Sequence, residues 1–73
     1  MITSNYVITG TQRASRFYLK PDALATGFVS SAQRFLEREK AEAAAKRENA
    51  SKVWSFKWSV TQQQFDIISG QPV

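Results

Sequence analysis

Residues 52 to 60, Lys-Val-Trp-Ser-Phe-Lys-Trp-Ser-Val, alternate with a two-residue period. Trp54, Phe56, Trp58 and Val60 occupy one parity, and Val53, Ser55, Lys57 and Ser59 the other. Such alternation in aromatic and β-branched residues predicts a strand with one apolar and one mostly polar face. Both tryptophans of the chain lie on it. A chain that concentrates its largest side chains in this way must either bury that face or present it to a partner.

The chain has 73 residues, enough for one domain around one core. At that size folding removes only roughly 60% of the unfolded chain's surface from water, so each large side chain counts heavily. Two Trp, two Tyr and five Phe are therefore expected to supply the core. Cys and His are both absent, which removes disulfides, thiolate nucleophiles, the usual zinc ligands and the usual proton shuttle at neutral pH. The chain also lacks Gly-x-Ser-x-Gly and Ser-x-x-Lys patterns. The expectation is a non-enzymatic protein without cofactor or metal. The opening Met-Ile-Thr-Ser-Asn-Tyr has no basic lead followed by an apolar run, and no stretch approaches the roughly 20 apolar residues that cross a bilayer. A soluble, intracellular protein with no membrane partner is expected.

The pattern along the chain predicts a ββαββ order. Residues 5 to 9, Asn-Tyr-Val-Ile-Thr, form a first strand, Gly10-Thr11 breaks it, and Gln12 to Lys20 resumes it. This is a hairpin over 5–20, ended by Pro21. In its second arm Phe17 and Leu19 share one parity while Arg16, Tyr18 and Lys20 share the other. Ser30 with Gln33 matches a capping box, and Phe28, Val29, Ala32, Phe35 and Leu36 make a helical stripe. Together they predict a helix over 28–49. From Glu37 to Asn49 its only apolar residue is Ala, and Glu42 with Lys46 is a favourable i,i+4 pair. That half reads either as a solvated helix face or as a docking arm. A second hairpin is expected over 52–69, with a turn at Thr61-Gln62-Gln63, and a frayed tail over 70–73. The fold class is α+β, a mostly antiparallel four-stranded sheet with one long helix across one face.

The formal net charge is +4, and its distribution says more than its size. The first twenty residues carry Arg13, Arg16 and Lys20 and no acid, whereas the helix segment nearly balances its charges. A patch of that kind suits nucleic acid or an acidic protein surface. The candidate partner-binding set is Arg13, Arg16, Tyr18 and Lys20, with Lys52 and Lys57 as neighbours across the sheet. Its competing reading is an ordinary solvated strand face. The aromatic parity of Trp54, Phe56 and Trp58 could stack bases, but a small sheet needs those rings as core. An open sheet edge could also accept a partner strand. The connectivity does not suit an RNA-recognition motif, and a single helix does not suit a helix-turn-helix.

In Met1-Ile2-Thr3-Ser4-Asn5-Tyr6-Val7-Ile8-Thr9-Gly10, in Lys52 to Val60 and in its length, the chain resembles the small RNA-polymerase-binding transcription regulators of lytic Xanthomonas bacteriophages. The resemblance covers the whole chain and rests on no transferable motif. It implies a monomer that binds host bacterial RNA polymerase at the largest subunit's N-terminal segment and the β flap, close to RNA at the exit channel. It further implies σ-factor displacement, antitermination and a place in the cytoplasm of the infected host. The alternative is a small basic protein that binds RNA or single-stranded DNA directly.

Overall fold

The computed structural model describes residues 1–51 and 53–73. Lys52, the first residue of the expected tryptophan strand, lies outside them. Strands β1 (Ile2–Gln12), β2 (Ser15–Leu19) and β3 (Ala25–Thr26) precede a 3-10 turn at Val29–Ser31, helix α1 (Arg38–Ala50) and strand β4 (Ser59–Asp66). The four strands form one antiparallel sheet in the order β3-β2-β1-β4. This is a small α+β domain, as the pattern predicts, though its strands are drawn partly from other segments.

The hairpin turn is at Arg13-Ala14, between the paired residues Gln12 and Ser15, and not at Gly10-Thr11. Arg13 and Ala14 have φ of 51° and 67°, the positive pair of a type I′ turn, whose twist matches that of the strands it joins. Gly10 stays inside β1 because an aromatic ring lies on it. A Cβ there would sit 2.3 Å from Phe56 Cε2.

The expected hairpin over 52–69 does not form. Among the described residues of that span only Ser59–Asp66 is strand, and it pairs with β1 from Thr9↔Ser59 to Ile2↔Asp66. Residues four apart on a strand are about 13 Å apart, yet the rings of Trp54 and Trp58 meet edge to face at 5.1 Å between centroids. The segment bends so that Trp54, Phe56 and Trp58 pack on each other and on Phe17. Contact among four aromatic rings replaces a ladder that would have kept them apart.

The helix is also shorter than expected. Residues 28–37 are not α-helical, the Ser30–Gln33 capping box goes unused, and Phe28 and Leu36 are exposed. β2 pairs with β1 only over residues 9–12, which leaves the N-terminal half of that edge to be satisfied. Phe35 does so by exchanging both backbone hydrogen bonds with Tyr6, at 2.8 and 2.9 Å. Gln33 N–H donates to Leu19 O at 2.9 Å. An unpaired strand edge inside the fold costs more than a helical turn forgoes.

The two faces of the sheet are both covered. Ile8 and Leu19 pack with Ala44, Ala45 and Trp58, while Val7 on the other face packs with Ala32 and Phe65. The Arg34 guanidinium lies 3.8 Å over the Phe65 ring and donates to Gly70 O. The charged half of the helix is therefore not merely solvated: its buried residues are Ala41, Ala44 and Ala45, whose small side chains bring α1 close to the sheet. Its ion pair is Arg38 with Glu42 at 3.0 Å, not Glu42 with Lys46.

The tail over 70–73 folds back. Asp66 N–H donates to Gln71 O at 2.9 Å and Val73 N–H to Gln64 O at 3.0 Å, so Pro72 bridges Phe65 along the outer edge of β4. Asp66 Oδ1 accepts from Ile68 N–H at 2.8 Å and sets the turn. Among the described residues no helix is long and apolar enough to cross a membrane.

Candidate partner-binding surfaces

The hairpin places two of the six sequence-predicted residues in water. Arg13 stands at the turn and Arg16 on β2, both exposed, and the type I′ geometry holds them at the end of a ladder. Tyr18 follows Arg16 on the same face, but its half-buried ring packs against the cluster of Val7, Ala32 and Phe65. Its role is that of a wall of the core. Lys20 is half-buried and pairs with Asp22 at 3.6 Å. Its backbone N–H also donates to Leu24 O at 2.8 Å, so it serves the bend into β3.

Lys57 does not join them. Phe56, on the loop that carries Lys57, lies over Gly10 and stacks on Phe17, both of which have the opposite parity to Arg16 and Tyr18. Lys57 lines a groove of about 530 Å³ between α1 and the start of β4. Arg38, Glu42, Lys46 and Asn49 line its helix side, and Trp58, Ser59 and Val60 its sheet side. The expected single basic face is thus two surfaces on opposite sides of the sheet, while Lys52 lies outside the described residues.

Loop and groove are fixed by polar contacts that alternation does not reveal. Asn49 Nδ2 donates to Trp58 O at 2.9 Å, and Trp58 N–H donates back to Asn49 Oδ1 at 2.7 Å. Trp54 Nε1 donates to Glu48 Oε1 at 3.1 Å, and Gln12 Nε2 to Ser55 Oγ at 2.8 Å. The aromatic cluster is bolted to the helix end on one side and to the hairpin on the other. Trp58 itself is 1% exposed, and its indole N–H has no partner among the described residues.

Arg38 and Lys46 escape a reading that treats the charged helix as one balanced segment. The signal that finds them is the spacing of Arg38, Glu42, Ala45 and Asn49, one stripe along the flank of α1. Charge on that stripe is uneven. Glu42 is engaged by Arg38, and among the described residues Lys46 and Lys57 are in no ion pair.

Comparison with known proteins finds no matching family model, no similar curated protein and no similar solved structure.

Proposed function

We propose that this protein is a non-catalytic, phage-encoded regulator that binds host bacterial RNA polymerase in the cytoplasm of the infected cell. It engages the largest subunit's N-terminal segment and the β flap near the RNA exit channel. By occupying that position it displaces σ factor and inhibits initiation, and in elongation it narrows the exit path so that terminator hairpins form poorly. A ligand of this kind shifts the polymerase only by its differential affinity for the two states.

The resemblance in residues 1–10 and 52–60 supports this reading, and the exposed basic hairpin tip is the observation that carries it. Arg13 at the turn and Arg16 on β2 are exposed and, among the described residues, in no ion pair, with no acid within the first twenty residues. Arginine presented in this way suits carboxylates on a protein partner, which it engages by paired hydrogen bonds. Direct binding of single strands draws on stacking platforms, and here Trp54, Phe56 and Trp58 pack tilted and edge to face against one another, with Trp58 buried.

The test is binding to purified polymerase core with σ factor as competitor. Binding that excludes σ, weakened by Arg13→Ala with Arg16→Ala while the fold persists, supports the reading. If polymerase is not bound, or if both arginines are dispensable, it fails. Binding to RNA without polymerase, falling steeply with salt, would instead favour the nucleic-acid alternative.

A further inference from the structure

The outer edge of β4 is partly occupied. Gln64 O and the Asp66 N–H face away from β1, where the tail engages them. Strand alternation then turns the N–H and C=O of Val60 and Gln62 outward as well. Consistently, Tyr6, which pairs with Gln62 in β1, directs its own backbone groups away from β4, toward Phe35. Among the described residues no hydrogen bond reaches the outward groups of Val60 or Gln62. The segment Gln71 to Val73 already lies along this edge as an added strand, and the edge continues beyond it for the length of Ser59 to Gln63.

The groove between α1 and β4 opens beside those residues. Its described lining comes from α1 and residues 57 to 60, with none from β1. Trp58 and Val60 make its floor, and Arg38, Lys46 and Lys57 give it positive charge against the single acid Glu42. A strand added at Val60 and Gln62 would place the side chains opposite those two residues on the groove side. We propose that this edge binds an extended acidic peptide as a fifth strand, antiparallel to β4, with alternate carboxylates facing Lys46 and Lys57. Main-chain bonds supply the affinity and the alternate side chains the selectivity, as in other strand additions.

Charge decides the occupant. A second copy of this chain pairing edge to edge would bring two sets of Lys46 and Lys57 together, on chains of net charge +4 each. Lysines beside an edge deter such self-pairing, while they attract a carboxylate. The surface lies across the sheet from β2 and β3, so it stands whether or not the hairpin tip contacts polymerase.

The experiment titrates the labelled protein with a blocked heptapeptide alternating glutamate and threonine, followed by amide NMR and by Trp fluorescence. The expected result is a shift and exchange protection at the Val60 and Gln62 amides. A lysine–threonine peptide should bind at least about tenfold more weakly, and Lys46→Glu with Lys57→Glu should reverse that preference. N-methylation of the glutamates should abolish binding. The proposal is overturned if neither peptide binds, if N-methylation has no effect, if the shifts fall on the hairpin, or if the edge instead pairs with a second copy as concentration rises. Both lysines are exposed, and the spectrum of the free variant reports directly whether its fold is retained.

Discussion

The side-chain amide of Asn49 pairs with the backbone of Trp58 as one peptide group pairs with another, donating at 2.9 Å and accepting at 2.7 Å. It thereby joins the last turn of α1 to the residue before β4 and closes the aromatic loop between them. Both partners on Trp58 are buried backbone groups, so their loss is not made good by water. Asn49→Ala should destabilise the protein by about 2–3 kcal/mol, two hydrogen bonds with their desolvation. Asn49→Asp keeps only the acceptor and sets an oxygen against Trp58 O, so it should cost at least as much at neutral pH. Urea unfolding followed by Trp fluorescence measures both. A loss under about 0.5 kcal/mol for Asn49→Ala would show that the pair adds nothing to stability.

Gly10 and Phe56 form a second such relationship, and here the contact is steric. Because an added Cβ would lie 2.3 Å from the Phe56 ring and 3.3 Å from Trp58 Cε3, Gly10→Ala must displace the aromatic loop. The expected cost is about 1–3 kcal/mol, as for an overpacked core. Phe56→Leu should recover part of it, so the double variant should be less unstable than the sum of the singles. Strict additivity in that cycle would remove the ring from Gly10.

How much of this was open to the sequence depends on which contacts decide each element. The first hairpin is legible because its two arms carry their own β-branched and aromatic residues, and local pairing suffices. Its turn is not, since Gly10 looks like a turn residue but serves close packing, while Arg13 and Ala14 adopt positive φ without the usual residue types. The alternation of Trp54, Phe56 and Trp58 marks one buried core residue, Trp58, and two partly buried rings packed against it, yet not a strand, because period alone does not weigh ring-on-ring contact against a ladder. The stripe from Phe28 to Leu36 misleads for a different reason: Tyr6, far away in sequence, claims Phe35 for the sheet. Of the candidate site, the exposure of Arg13 and Arg16 was readable. The use of Tyr18 by the core and the separation of Lys57 follow from tertiary packing.

The hairpin turn carries strain that a single substitution can release. A non-glycine residue in the left-handed region costs roughly 1–2 kcal/mol, and Ala14 has φ of 67° with its side chain exposed. Ala14→Gly should raise stability by about 0.5–1 kcal/mol, the relief being offset by the larger entropy of the unfolded chain. For a domain of this size that is a rise in Tm of roughly 2–8 °C. Calorimetry checks it, and a fall in Tm would mean that the turn is not type I′. Since Arg13 is kept, the same variant should leave the proposed contact with polymerase unchanged.

The buried face of helix α1 is made of alanine methyl groups, which makes adjacent alanines unequal. Ala41 is 0% exposed, with Ala44 and Ala45 one turn on, whereas Ala43 between them faces water. Leucine has the higher volume at either place and similar helix propensity. Ala43→Leu should therefore change stability by no more than about 0.5 kcal/mol. At Ala41 the added carbons must push the helix from β1 and β4, at a cost of about 1–3 kcal/mol. Denaturant unfolding of the two variants separates a packed helix from a solvated one, because a solvated helix would treat the two substitutions alike. The displacement would also open the groove beside Val60, so Ala41→Leu should alter peptide binding there while Ala43→Leu leaves it unchanged.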